Sequence, residues 1–303
     1  MQKTFNAIYF YRNFFTIFKK TISYQRVLIY LPFVKMSSQC SLVSTCLTQE
    51  KIDTPLDNKD SKTVVEPKKY RYWSYLDVKN SEGKPQAKVH YIFKLSDVKN
   101  AVSLLKGPYL GFDMEWKPHN DSKVAIIQLS DANSIVLFHL SLMALDGTFP
   151  KPLKDLLENP CFIKCGVGVR NDGYKLFKDF GIIGSGFLEL SQLAMVVDND
   201  KWNSNIRLIS LTRLAEQYLG KPLFKGSVRY SNWDEVLIFK QVHYAATDCF
   251  AGLKIFEKLN YLRLNSENSL NIPETIDMRL DSSVIGDIQK KKENELLQSK
   301  EKS

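Results

Sequence analysis

The spacing of apolar residues changes period along this chain, and each change marks an element. Val89-His-Tyr-Ile-Phe93 alternates as a strand does. Ser96-Asp97 then offers an N-cap for a helix running through Leu105. Three apolar runs follow at Tyr109–Trp116, Val124–Leu129 and Ile135–Leu140, the last two joined by the turn-forming Asp131-Ala-Asn-Ser134, and they read as strands. A helix near Leu153–Leu157, a strand at Phe162–Val167 and a helix at Gly173–Phe180 come next. Beyond Leu188 the period is helical: Leu190–Val197, Leu211–Leu219 and a long stretch from about Glu235 to Leu262. Strands first, alternation next and helices last predict one α/β domain, a mixed sheet flanked by helices, over residues 70–270. Residues 50–69, polar and holding Pro55 and Pro67, read as a flexible linker, and 271–303 as a charged C-terminal tail. No internal repeat and no second domain is visible.

One strand carries a contradiction. In Tyr109-Leu-Gly-Phe-Asp-Met-Glu-Trp116, alternation places Phe112, Met114 and Trp116 on one face and Asp113 with Glu115 on the other. Two carboxylates on one face of an apolar strand repel each other, and burying them unpaired costs several kcal/mol. Either the acidic face lies in water on an edge strand, or a cation sits between the acids. All-oxygen ligation points to a hard ion, Mg²⁺ or Mn²⁺.

Composition adds little to the domain and more to the N-terminus. The chain has 303 residues, 44% hydrophobic and 25% charged, as an ordinary globular protein has. Its net charge of +9 invites a nucleic-acid partner, but six of the basic residues (Lys3, Arg12, Lys19, Lys20, Arg26, Lys35) lie before the first acid, Glu50. The basicity is mostly a property of residues 1–49. That segment, acid-free and interleaving basic residues with apolar clusters, is expected to be a mitochondrial targeting leader. Should translation begin at Met36, nucleus or cytoplasm becomes the expected location. No apolar run approaches the roughly 20 residues of a membrane span. Cys40, Cys46, Cys161, Cys165 and Cys249 form no metal or disulfide pattern and fit a reducing compartment.

Two further runs carry chemistry. Gly166-Val-Gly168 makes a close strand exit and Asp172 follows at the start of a helix, where an N-cap is the plainest role for an Asp. In His243-Tyr-Ala-Ala-Thr-Asp248, Tyr244 and Asp248 are four apart and share a helical face. Small residues Ala245, Ala246, Ala251 and Gly252 imply that this helix packs closely against a neighbour, and His243 and Cys249 read as structural.

Together, Phe112-Asp-Met-Glu-Trp116, Gly166-Val-Gly-x-x-x-Asp172 and Tyr244-Ala-Ala-Thr-Asp248 resemble the three motifs of the DEDDy 3′–5′ exonucleases. Within them the resemblance is to the Werner-syndrome-type exonuclease domain, without a helicase segment. Leu188-Glu-Leu, Leu211-Thr-Arg-Leu-Ala215 and Val228-Arg-Tyr-Ser-Asn-Trp233 extend it over residues 88–262. One departure is visible: Asp234 to His243 lacks the proline usual before the tyrosine, which bears on where that helix starts.

The resemblance implies an RNase H-like fold and a two-metal phosphodiesterase releasing nucleoside 5′-monophosphates from 3′ ends of single-stranded DNA or RNA. It implies that Asp113, Glu115, Asp172 and Asp248 hold two divalent cations, Mg²⁺ or Mn²⁺, about 3.5–4 Å apart. Asp113 would bridge both ions, with Glu115 and Asp248 completing one site and Asp172 supporting the other. Tyr244 would orient the attacking water. Tyr174 is a candidate for stacking on a terminal base. Met114 and Trp116 are candidates for substrate contact chiefly through their backbone. The rival readings are an inactive nucleic-acid-binding or scaffold protein and an RNase H-like endonuclease. The first would be expected to have lost an acid or the tyrosine; the second does not require the Tyr-x-x-x-Asp helix.

Overall fold

Strand β2 (Tyr109–Glu115), which bears the acid pair, lies in the interior of the sheet rather than at an edge. The computed structural model describes residues 72–118, 122–143, 148–202, 207–266 and 270–301; the targeting leader and the linker expected from the sequence lie outside them. The other strands are β1 (Lys88–Ile92), β3 (Ile126–Ser130), β4 (Ser134–His139), β5 (Ile163–Gly166) and β6 (Phe187–Glu189). Their order is β1-β4-β3-β2-β5-β6. Strands β2, β3 and β4 form an antiparallel meander, whereas β1 joins β4, β5 joins β2 and β6 joins β5 in parallel.

Helices cover both faces, so β3 and β4 are buried throughout and read as nearly continuous apolar runs. On one face Leu110, Phe112 and Met114 pack with α1 (Val98–Val102), α2 (Lys151–Glu158) and α3 (Val169–Phe180). On the other lie α4 (Leu190–Val197), α5 (Leu211–Leu219) and α6 (Phe239–Leu264). Residues 111, 113 and 115 of β2 point to this second face. No helix among the described residues is long and apolar enough to cross a membrane.

Four features differ from the sequence expectation. Strand β6 is three residues long, too short for alternation to register, and its pairing with β5 creates it. Helix α3 starts at Val169 rather than Gly173, because Gly168 adopts φ +81°, a left-handed turn that feeds the chain directly from β5 into the helix. Helix α6 starts at Phe239, not near Glu235, and Gln241 takes over N-terminal capping by accepting from the Ile238 amide at 3.1 Å. Packing also continues past residue 270. Ile276 pairs with Phe187, Met278 is fully buried, and α7 (Ser282–Glu301) is tied to α3 by Arg170–Asp281 at 2.7 Å and Tyr174–Asp287 at 2.8 Å.

Candidate active site

Three elements bring the acids together at the carboxyl end of β2, where open α/β sheets usually bind ligands. Asp113 and Glu115 project from the α6 side of β2. Its parallel neighbour β5 ends level with Phe112, so the first turn of α3 delivers Asp172 beside them. Helix α6 crosses the same face and contributes Tyr244 and Asp248, one turn apart.

The crossing is close. Cys249 Sγ donates to the Gly111 carbonyl at 3.2 Å and lies 3.3 Å from Ser130 Oγ. Cys249 therefore packs the helix onto the sheet, in line with its structural assignment. His243 is likewise structural, with Nε2 2.9 Å from Ser74 Oγ.

One carboxylate oxygen each from Asp113, Glu115 and Asp248 falls within a 4.8 Å cluster. Asp172 is not one of those three, but its charge acts on Glu115 and is acted on by Asp113. Glu115 is only 9% exposed, and the other three acids are half-buried. Burial raises all four pKa values, and the charges of neighbouring carboxylates add to the effect at Glu115, Asp172 and Asp248. Asp113 rises to about 7 by desolvation, eased by the Met114 amide donating to its Oδ1 at 3.0 Å. Glu115 rises well above the carboxylate range through burial and then the charges of Asp113, Asp248 and Asp172. Asp172 rises through burial, Asp113 and Glu189. Asp248 rises through burial and Asp113, and a hydrogen bond from the Tyr244 phenol pulls it back.

Such a cage resists holding four negative charges by itself. Its donors are all carboxylate oxygens, and those of Asp113, Glu115 and Asp248 are close enough to share an ion, so the residues present, with Asp172 as the fourth acid, fit two hard divalent cations, Mg²⁺ or Mn²⁺. Gln128, paired with Asp113 across β2 and β3 and fully buried, has neither amide atom hydrogen-bonded among the described residues. This places an unsatisfied polar group directly opposite the central acid.

Tyr244 leans on the buried indole of Trp233, with ring centroids 6.1 Å apart. Burial and the neighbouring carboxylates push its phenol far above its ordinary pKa, so it keeps its proton.

Of the three residues marked for substrate contact, Met114 and Trp116 turn their side chains to the opposite core, as strand alternation places them, and Tyr174 turns to the C-terminal helix. Met114 is buried in the opposite core. Trp116 packs against that core with the Lys175 ammonium 5.1 Å from its ring. Tyr174 donates its phenol proton to Asp287 of α7. None of these side chains stands among the acids, because strand alternation and the C-terminal helix direct them away.

The structure adds Glu189, buried beneath the site. It accepts from the amides of Gly168 at 2.7 Å and Val169 at 3.3 Å, holding the start of α3, and from Ser191 at 3.2 Å. Its run, Leu188-Glu-Leu, forms part of the sequence resemblance, but an isolated Glu between leucines gives no sign of capping a helix twenty residues upstream.

Comparison with known proteins agrees with this geometry. A family model described as 3′-5′ exonuclease matches residues 89–262. The bifunctional 3′-5′ exonuclease/ATP-dependent helicase WRN of Mus musculus is 43% identical over 169 residues, which cover 54% of this chain and 12% of the mouse protein. Exonuclease 3′-5′ domain-containing protein 2 of Homo sapiens is 37% identical over 155 residues, covering 49% of this chain and 24% of the human protein. The chain thus spans less than a quarter of the length of these two relatives. Among solved structures, the Aedes aegypti Nibbler EXO domain superimposes with a TM-score of 0.50 at 22% identity, over 58% of this chain and 88% of that one, a likeness of fold. The sheet order, the helices on both faces and the acids at the strand ends are those of an RNase H-like domain, and the chain belongs to the 3′-5′ exonuclease family.

Proposed function

We propose that this protein is a metal-dependent 3′–5′ exonuclease that removes nucleoside 5′-monophosphates from single-stranded 3′ ends of DNA or RNA. The observation that carries the proposal is the convergence of Asp113, Glu115 and Asp248 within 4.8 Å, with Asp172 coupled to them and Tyr244 hydrogen-bonded to Asp248.

Each residue has a part. Asp113, Glu115 and Asp248 would hold the cations through their clustered carboxylate oxygens, with Asp172 completing the set of acids beside them. Bound Mg²⁺ or Mn²⁺ supplies Lewis acidity at the scissile phosphate and at the attacking water. Tyr244 keeps its phenol protonated and orients the water by hydrogen bonding. Trp233 fixes the ring from behind. Glu189 holds the first turn of α3, and so Asp172, in place.

The test is a 5′-labelled oligonucleotide incubated with the protein and Mg²⁺ or Mn²⁺. A ladder shortening from the 3′ end is expected. A single internal cut would instead indicate an endonuclease, and binding without cleavage in either metal an inactive scaffold. Matched DNA and RNA oligonucleotides identify the preferred sugar, since 2′-hydroxyl recognition depends on local contacts.

A mitochondrial location is supported by the acid-free, basic and apolar pattern of residues 1–49. Imaging with and without residues 1–35 tests it; unchanged distribution would remove the leader from targeting.

A further inference from the structure

The segment between α5 and α6 holds Phe224-Lys-Gly-Ser-Val-Arg-Tyr230, and its last turn touches α6, the helix that bears Tyr244 and Asp248. Ser227–Tyr230 forms a 3₁₀ turn whose Arg229 carbonyl accepts from the Trp233 indole at 3.3 Å. Trp233 is fully buried and packs on Tyr244, so the turn and the catalytic tyrosine share one anchor. Further along, Asp234 pairs with Lys117 at 2.8 Å, two residues beyond Glu115, and the Leu237 amide donates to Tyr91 at 3.2 Å.

The side chains on this fixed backbone are nonetheless open to solvent. Lys225 and Arg229 are exposed, Tyr230 is 57% exposed and Phe224 47%. The Arg229 guanidinium lies 4.3 Å from the Tyr230 ring centroid, and Phe224 stands edge-on to Tyr72 at 5.2 Å. Neither Lys225 nor Arg229 forms an ion pair with an acid among the described residues. Their charges do reach the cage, Arg229 acting on Glu115 and Lys225 on Asp248.

That arrangement has a consequence once cations are bound. Two divalent ions neutralise four carboxylates, and the two neighbouring basic side chains then leave a local positive surplus. A cationic side chain beside bound metal is repelled unless an anion lies between them. The rings supply flat apolar faces next to the charges, a combination that suits a phosphate backbone with unpaired bases.

We infer that Lys225 and Arg229 grip the backbone phosphates of a single-stranded 3′ end entering the cage, while Tyr230 and Phe224 stack on its bases. The inference rests on the exonuclease reading for its substrate class, and its test needs no turnover.

Binding of a fluorescein-labelled 15-mer of thymidylate to the full chain is followed by anisotropy in Ca²⁺ over a range of salt concentrations. Each phosphate contact on a single strand contributes about 0.7 to the slope of log affinity against log salt. Lys225→Ala and Arg229→Ala are each expected to reduce the slope by about 0.7 and weaken binding at low salt about tenfold. Arg229→Lys restores the slope. Tyr230→Leu weakens binding about tenfold with the slope unchanged, as loss of one stacked base would. In parallel, Mn²⁺ affinity of Arg229→Ala is expected to match that of the unmodified chain.

An unchanged slope in both alanine variants overturns the inference, as does a change in Mn²⁺ affinity without one in slope, which would make Arg229 a counter-ion of the cage. Failure of the unmodified chain to bind the oligonucleotide overturns it too. Binding with the expected slopes but no shortening in Mg²⁺ or Mn²⁺ would refute the exonuclease reading and leave the landing site standing. Shortening with unaltered slopes would do the reverse.

Discussion

Gly111 and Cys249 meet so closely that a Cβ on Gly111 would lie 2.1 Å from the Cys249 carbonyl oxygen. The strand bearing Asp113 and the helix bearing Asp248 are in backbone contact there, and that contact sets the spacing of the two acids. Gly111→Ala is expected to destabilise the fold by about 3 kcal/mol, since the obstructing atom belongs to a helix backbone that cannot rotate away. Chemical denaturation measures this. A loss below about 1 kcal/mol would mean that the helix lifts off without cost.

Asp113→Asn and Asp248→Asn should abolish cleavage, lowering kcat by about 10³-fold or more, and weaken Mn²⁺ binding measured by calorimetry. In chelator the same variants should melt higher than the unmodified chain at pH 8, because each removes a repelling charge from the cage. Lower melting in both would show that the carboxylates stabilise the fold rather than strain it.

Tyr244→Phe removes the phenol hydroxyl and keeps the ring that packs on Trp233. Expected is a fall in kcat of about 10²-fold with KM and metal affinity unchanged. Equal turnover by the Phe variant would take Tyr244 out of the mechanism.

The raised carboxylate pKa values make metal-free stability depend on pH with a definite sign. Asp113 titrates near 3.8 when unfolded and near 7 in the fold, so between those values the native state binds more protons than the unfolded chain. Stability in chelator is therefore highest near pH 4, as far as this group is concerned, and falls as pH rises toward 7. Mg²⁺ or Mn²⁺ should reverse the trend, with its largest gain in melting temperature at the alkaline end. A scanning-fluorimetry series from pH 5 to 8, with and without metal, checks the sign; a metal gain that is larger at pH 5 would contradict it.

Met278 is fully buried although it lies beyond residue 270. Met278→Ala should cost about 2–5 kcal/mol, the range for emptying a core site of this size. A chain ending at residue 270 should melt lower still, because the Arg170–Asp281 and Tyr174–Asp287 contacts go with it. Unchanged melting of the shortened chain would return residues 271–303 to the status of a tail.

Much of the site is legible in the sequence because its parts are local. Alternation alone puts Asp113 and Glu115 on one face of a strand, and a four-residue interval alone puts Tyr244 and Asp248 on one face of a helix. The mixed sheet flanked by helices follows from the order of strand and helix periods. Strand β6 and the start of α3 escaped because three residues are too few for a period and because one left-handed glycine decides where the helix begins.

What the sequence by itself determined is therefore most of the elements, the fold class and which acids share a face. Tertiary structure alone decided that β2 is interior and not an edge, that α6 touches it at Gly111, and that Glu189 caps a helix twenty residues earlier in the chain. It alone decided that Tyr174 binds Asp287 and that Arg229 shares an anchor with Tyr244. The reason is physical: backbone periodicity acts over one turn or one pleat and leaves a trace in spacing. Contacts between residues far apart in the chain depend on how whole surfaces fit, and no local interval records that fit.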